Sequence, residues 1–236
     1  MSFIQQTIAA SNWPLIKQQL DSNGYALVKN ILSESQCQDL AMDYQKESLY
    51  RKTIQMERYR FGKGEYKYFH YPLPPLVQVL RETVYSHLST VANGWMNKLG
   101  IEMQYPANLK ELQAQCAANG QTQPAVLILK YNEGGHNTLH QDLYGSIYFP
   151  MQVVLFLNEP GTDYTGGEFV LVQQTPRAQS KAIVLQPSAG DMLIFATNFR
   201  PAEGSRGYYR VTMKHGVSEV HAGERFTLGI IFHDAG

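Results

Sequence analysis

Only two cysteines, Cys37 and Cys116, occur in the 236 residues, too few to staple a chain of this length with a disulfide framework. They read as small buried hydrophobes rather than reactive thiols. No apolar run approaches the roughly twenty residues a bilayer-spanning helix needs. The N-terminal MSFIQQTIAASNWPL has no basic stretch ahead of an apolar one, so no secretory signal is read there. Excess charge of either sign is lacking too, because 20 Lys+Arg balance 20 Asp+Glu. A neutral chain has no global field to draw it onto nucleic acid or anionic lipid. The expectation is a cytoplasmic protein without membrane contact, in which any nucleic-acid contact is local.

Hydrophobic residues, at 44%, suffice for a core, and 17% charge is not that of a disordered chain. The N-terminal half reads mainly helical. Trp13 to Leu20 has a helical pattern that stops at Asn23-Gly24. Tyr25 to Leu32 reads as a short strand, and Ser33-Glu34-Ser35-Gln36 as a capping box opening a helix to about Gln45. A further helix is expected from Leu76 to about Leu99, after the Pro72 to Pro75 break. Beyond Pro124 the period changes to short apolar or alternating runs: Ala125–Tyr131, Met151–Leu157, Glu168–Val172, Ala182–Leu185, Asp191–Phe195, Arg210–Lys214 and Arg225–Phe232. Such strands separated by Gly/Pro turns predict a closed or double-sheet β structure rather than a βαβ fold. The expected architecture is mainly β with N-terminal helices (α+β). A helical region over 1–123 packs on and extends a jelly-roll, or double-stranded β-helix, core over 124–236, as one structural unit.

Within that core lies His140-Gln141-Asp142. Side chains two residues apart on an extended segment project to the same side, so one cation can reach both. With seven histidines in the chain, an HxD alone is weak and fits a surface loop equally well. The third ligand has to come from a distant strand, and His215 and His221 are the candidates. If adjacent antiparallel strands are joined through Ala222-Gly223, Arg225 lies across from His215 while His221 sits at the turn, pointing away. His140, Asp142 and His215 then form two nitrogens and one carboxylate on one face of a metal, the arrangement of non-haem Fe(II) oxygenases.

The stretch His215-Gly-Val-Ser-Glu-Val-His-Ala-Gly-Glu-Arg225-Phe-Thr227 resembles the C-terminal signature of Fe(II)/2-oxoglutarate dioxygenases. Together with LHQDLYG, TGGEFVL and GDMLIF, it is most similar to a bacterial group of 2OG-Fe(II) oxygenases described as acting in oxidative demethylation of damaged DNA. The resemblance covers residues 125 to 236 well and the N-terminal half loosely. It implies a jelly-roll enzyme using Fe(II), 2-oxoglutarate and O2, which couples decarboxylation to succinate with C–H hydroxylation. It further implies that Arg225 and Thr227, with Tyr131, bind the far carboxylate of 2-oxoglutarate. Prolyl-hydroxylase-like members often have a tyrosine where this chain has Phe156, a departure from that pattern.

Candidates for a substrate pocket are His136, Asn137, Tyr144, Gln152 and Arg210, each with packing or turn roles as the alternative. Gly166-Gly167 reads as a turn, since no helix follows to make a phosphate cradle. His233 and Asp234 lie at the chain end without a partner at ligand spacing. Two segments, Arg51 to Tyr71 and Asn198 to Arg210, interleave basic and aromatic residues, a composition that reads first as a solvated strand edge with packed tyrosines and second as a surface for single-stranded nucleic acid. Three substrates stay open: a methylated base, with N-methyl oxidation as the reaction, a protein side chain, or a small metabolite. A non-catalytic metal-binding β-roll is the alternative of another class.

Overall fold

Local signals at the N-terminus translate directly into elements of the computed structural model, which describes residues 2–236. The chain opens with α1 (Phe3–Ala9), α2 (Trp13–Asn23), β1 (Tyr25–Val28) and α3 (Glu34–Asp43). α2 ends at Gly24, where the backbone turns left-handed. α3 carries the expected capping box: the Gln36 N–H donates to the Ser33 hydroxyl and the Gln36 side chain accepts from the Ser33 N–H. Next come β2 (Tyr50–Gln55), β3 (Gly62–Lys63), β4 (Glu65–Phe69), α4 (Pro75–Lys98) and α5 (Leu109–Ala118). From Pro124 onward the described elements are strands: β5 (Val126–Tyr131), β6 (His136–His140), β7 (Met151–Phe156), β8 (Tyr164–Gly166), β9 (Phe169–Gln174) and β10 (Lys181–Leu185). β11 (Met192–Ala196), β12 (Phe199–Gly204), β13 (Gly207–Val217), β14 (Val220–Gly223) and β15 (Arg225–Ile231) complete the chain.

The strands pair antiparallel into one sheet of order β1-β11-β7-β15-β5-β4-β2 and another of order β10-β9-β13-β6-β3. β12 pairs with β13, and β14 with β8 forms a small ribbon. β15, central in the larger sheet, shows how alternation builds the layers. Phe226, Leu228 and Ile230 join the hydrophobic core that also holds Leu80, Val84 and Leu88 of α4. Arg225, Thr227, Gly229 and Ile231 instead line a cavity. This is the expected jelly roll, mainly β with helices at its N-terminal side. No helix among the described residues is long and apolar enough to cross a membrane.

The segment between α3 and α4, part of the half that reads mainly helical and for which a solvated strand edge is one reading, forms strands, of which β2 and β4 belong to the larger sheet. β4 docks on β5, with Lys67 opposite Ile128, and β2 pairs with β4. The alternation is masked because an inward position is filled by Lys67, which is 5% exposed. Its ammonium donates to the Tyr44 carbonyl at 3.1 Å and sits 4.3 Å from the Tyr44 ring centroid. A buried cation in a strand reads, in sequence, as a solvated face.

His233 and Asp234, which the sequence sets apart from the metal ligands, are tied into the interior. The Arg81 guanidinium, fully buried, donates to the Asp234 carboxylate at 2.7 Å and to the Phe232 carbonyl at 2.8 Å. His233 Nδ1 accepts from the Phe149 N–H at 3.1 Å. Deleting one member of such a pair strands the other charge without water, at a cost of about 3–5 kcal/mol. Asp234→Ala is therefore expected to lower the urea midpoint sharply. A loss below about 1 kcal/mol, the value of an exposed pair, would contradict this account.

Candidate metal centre and cosubstrate pocket

His140 ends β6, and Asp142 follows just beyond it. β13 lies beside β6 with His215 opposite His140, followed by a register shift before Val217. His215 Nε2 is 3.2 Å from Asp142 Oδ2, and His140 Nε2 is 3.6 Å from Asp142 Oδ1. One donor atom from each of the three residues lies within 4.8 Å of the others. The residue between the first two ties the unit together. The Gln141 amide donates to the carbonyls of Asn198 and Met213, each at 2.8 Å, fastening the HxD segment to β13.

Local chemistry sets the state of each donor. His140 Nδ1 is 2.7 Å from the Thr138 carbonyl. A carbonyl can only accept, so Nδ1 carries the proton and Nε2 presents a lone pair toward Asp142. Burial, with the neighbouring His215, holds the His140 imidazole below its ordinary pKa. For Asp142, burial alone would raise the pKa; hydrogen bonding to His215 and the charges of both imidazoles override it, so the carboxyl sits well below the usual range. The Tyr144 hydroxyl donates to Asp142 Oδ1 at 2.8 Å. Phe169 stacks on His215 at 5.9 Å between centroids, and Phe195 tilts against it at 4.9 Å. Two nitrogens and one carboxylate, dry on one side, fit Fe(II) in a facial arrangement.

Arg225 supplies the second half of the fit. It is 1% exposed, and none of its three guanidinium nitrogens has a hydrogen-bond partner within the protein. The guanidinium carbon lies 5.5 Å from the Tyr131 ring centroid, 5.6 Å from that of Phe156 and 5.9 Å from that of Tyr164. A buried cation among aromatic faces calls for an anion from outside the protein. Burial pushes the Tyr131 phenol up to about 12, so it stays protonated and can donate to that anion. A carboxylate of 2-oxoglutarate suits this corner.

A cavity of about 220 Å³ joins the two halves. Of the residues singled out by sequence, His140, Asp142, His215, Arg225, Thr227 and Tyr131 all line it. So do Asn137, Tyr144 and Gln152. His136 and Arg210 are not among its walls. The His136 ring turns back to the Gly134 carbonyl, and Arg210 is exposed, stacked over Phe199 on the β12–β13 pair. Nor is Arg225 on a strand adjacent to His215, as the sequence predicts: β13 belongs to the smaller sheet and β15 to the larger. The two residues face one another across the sandwich. Tyr66, Tyr68 and Phe61 of the β2–β4 region also line the cavity, and their sequence signal is the basic-aromatic composition of that segment.

The comparisons with known proteins agree with this geometry. Residues 64–235 match the model of a family described as "Oxygenase, catalysing oxidative methylation of damaged DNA". Uncharacterized proteins from two strains of Mycobacterium tuberculosis are 46% identical over 164 residues, spanning 70% of this chain and 70% of theirs. Among solved structures, a Pseudomonas putida prolyl-4-hydroxylase superposes with a TM-score of 0.55 at 14% identity, over 95% of this chain and 100% of that one. A Trichoplax adhaerens prolyl hydroxylase, solved with a peptide fragment of hypoxia inducible factor, gives 0.57 at 14% identity, over 98% and 92%. A 2OG-Fe(II) oxygenase family oxidoreductase from Burkholderia pseudomallei gives 0.53 at 14% identity, over 96% and 94%. At these identities the solved structures share the fold.

Proposed function

The chain belongs to the family of oxygenases described as acting in oxidative methylation of damaged DNA, and from that membership we propose that it oxidises an N-methyl group on a base of single-stranded nucleic acid. Oxidation can remove a methyl group but cannot install one, so demethylation is the direction the chemistry takes. The enzyme is a 2-oxoglutarate-dependent dioxygenase, with Fe(II), 2-oxoglutarate and O2 as its cofactors.

His140 Nε2, the Asp142 carboxylate and His215 would hold the metal on one side. When bound, Fe(II) with 2-oxoglutarate and O2 supplies the oxidising power to hydroxylate a C–H bond, yielding succinate and carbon dioxide. Arg225 orients the cosubstrate by pairing with its far carboxylate, and the Thr227 and Tyr131 hydroxyls donate to the same group. The Thr138 carbonyl fixes the tautomer of His140, and the Tyr144 hydroxyl fixes the orientation of Asp142. Phe169 and Phe195 exclude water from the His215 side. An N-methyl group hydroxylated in this site would break down to formaldehyde and the free base nitrogen.

The observation that favours nucleic acid is at the cavity mouth. Phe61 lines the cavity yet is 43% exposed, and it stacks with Tyr59, 52% exposed, at 5.4 Å between centroids and 19° between planes. Arg58 and Arg60 flank the pair and are both exposed. Gly62 allows the approach, because a Cβ there would meet the His136 carbonyl oxygen at 2.2 Å. Aromatic faces beside unpaired guanidinium groups form a stacking platform for unpaired bases. Not all of the basic residues take part: Lys67 and Arg200 are buried and bonded internally.

The test is formaldehyde release from methylated single-stranded DNA, followed beside succinate. Matching yields are expected, with affinity falling steeply as salt rises. Phe61→Ala should raise KM for the DNA by roughly 5- to 150-fold, the equivalent of losing one stacked base at about 1–3 kcal/mol. Succinate without formaldehyde would reject this substrate and direct the search to protein side chains and metabolites.

A further inference from the structure

β15 sends Arg225, Thr227, Gly229 and Ile231 in turn into the cavity, a run of about 20 Å at the usual strand rise. The first two form the polar end that suits a dicarboxylate. Gly229 then leaves space: a Cβ there would press on Leu127 Cδ2 at 3.1 Å. At the other end Ile231 pairs with Gln152 across the β7–β15 ladder. Leu127 and Ile231 pack there with Tyr68 and Tyr144.

Gln152 is unusual among the buried amides. It is 3% exposed and lines the cavity, yet its Nε2 has no hydrogen-bond partner. Gln121, 2% exposed, donates to three carbonyls, and Gln141 to two. The nearby Tyr68 hydroxyl donates to Tyr144 at 3.4 Å and Tyr144 to Asp142 at 2.8 Å, and neither accepts from Gln152. Burying an amide N–H without an acceptor is unfavourable, so the natural partner is a ligand. Among the described residues, the only carboxylate lining the cavity is Asp142.

We propose that Gln152 determines specificity by donating a hydrogen bond to a carbonyl oxygen or ring nitrogen of a flat, uncharged heteroaromatic group held against the tyrosine faces. The inference rests on the nucleic-acid reading above and narrows it: the favoured N-methylated base is neutral and carries an acceptor, rather than cationic and carrying an amino group. A site built around one buried donor rejects partners that leave it unpaired.

Two single-stranded oligonucleotides of one sequence test it, one with 3-methylthymine and one with 3-methylcytosine. These bases share a shape but differ in a carbonyl against an amino group and in charge. Formaldehyde is measured with the Fe(II)- and 2-oxoglutarate-loaded protein, and binding of the two nucleosides by fluorescence quenching without oxygen. Wild type should prefer the thymine lesion. Gln152→Glu, which removes the donor and adds a negative charge, should shift the preference at least about tenfold toward the cytosine lesion in both measurements. Gln152→Leu, which adds no charge, should lower kcat/KM for the thymine lesion by about tenfold or more. If both lesions are oxidised and either variant keeps the wild-type preference, Gln152 is a packing residue and only this inference falls. If wild type forms succinate but oxidises neither lesion, the nucleic-acid reading falls and takes this inference with it.

Discussion

Asp142→Ala should reduce 2-oxoglutarate decarboxylation by more than about a hundredfold. Removing even an outer partner of a metal ligand typically costs 10–100-fold, and Asp142 is the one carboxylate in the cluster. Without it only two imidazoles remain, a poor set for a hard divalent cation. Its hydrogen bond from Tyr144 and its contact with His215 would be lost as well. The check is a paired titration of Fe(II) affinity and succinate yield. Turnover within about threefold of wild type would remove Asp142 from the ligand set, however well the geometry suits it.

Arg225→Met should weaken cosubstrate binding while strengthening the fold. The KM for 2-oxoglutarate should rise about 10- to 150-fold, the equivalent of one hydrogen bond to a charged group at about 1.5–3 kcal/mol. The protein without cosubstrate should at the same time become more stable. A guanidinium that is 1% exposed with three unbonded nitrogens carries a desolvation penalty, and replacing buried charge by a packed apolar side chain often stabilises by about 1–4 kcal/mol. Added 2-oxoglutarate should then raise the melting temperature of wild type and hardly that of the variant. A variant that is destabilised, or still stabilised by cosubstrate, would show that the buried arginine has a structural partner after all.

Much of this site can be read from the chain because its parts are short and local. His140 and Asp142 share a strand end, and the strands beyond Pro124 announce themselves by alternation. What could not be read is what depends on pairing between distant segments. Nothing near Lys67 signals that its strand docks on β5, since its ammonium is satisfied by Tyr44, on a different element. The placement of Tyr164 beside Arg225 comes from the β8–β14 ribbon, whose strands are fifty-odd residues apart in the chain. His215 does lie beside His140 and Asp142, but by a different topology from the one the sequence suggests, because a Gly turn between two strands looks the same whether or not they end in one sheet. Gln152 did leave a trace: it is the one polar residue in the otherwise apolar run Met151–Leu157, and a polar residue inside a buried strand needs a reason.

The division of labour between the sheets has a mechanical meaning. The would-be metal ligands His140 and His215 are carried by the smaller sheet and Arg225 by the larger, so under the proposed reading the two ends of the cosubstrate would be gripped by opposite jaws of a caliper. The opening of that caliper is the separation of two packed β-layers, about 10 Å in general, and it is set by interior side chains such as Phe169, which reaches both Phe156 and His215. Discrimination between dicarboxylates of different length then belongs to the packing of the whole sandwich, and a core substitution far from any ligand could retune it.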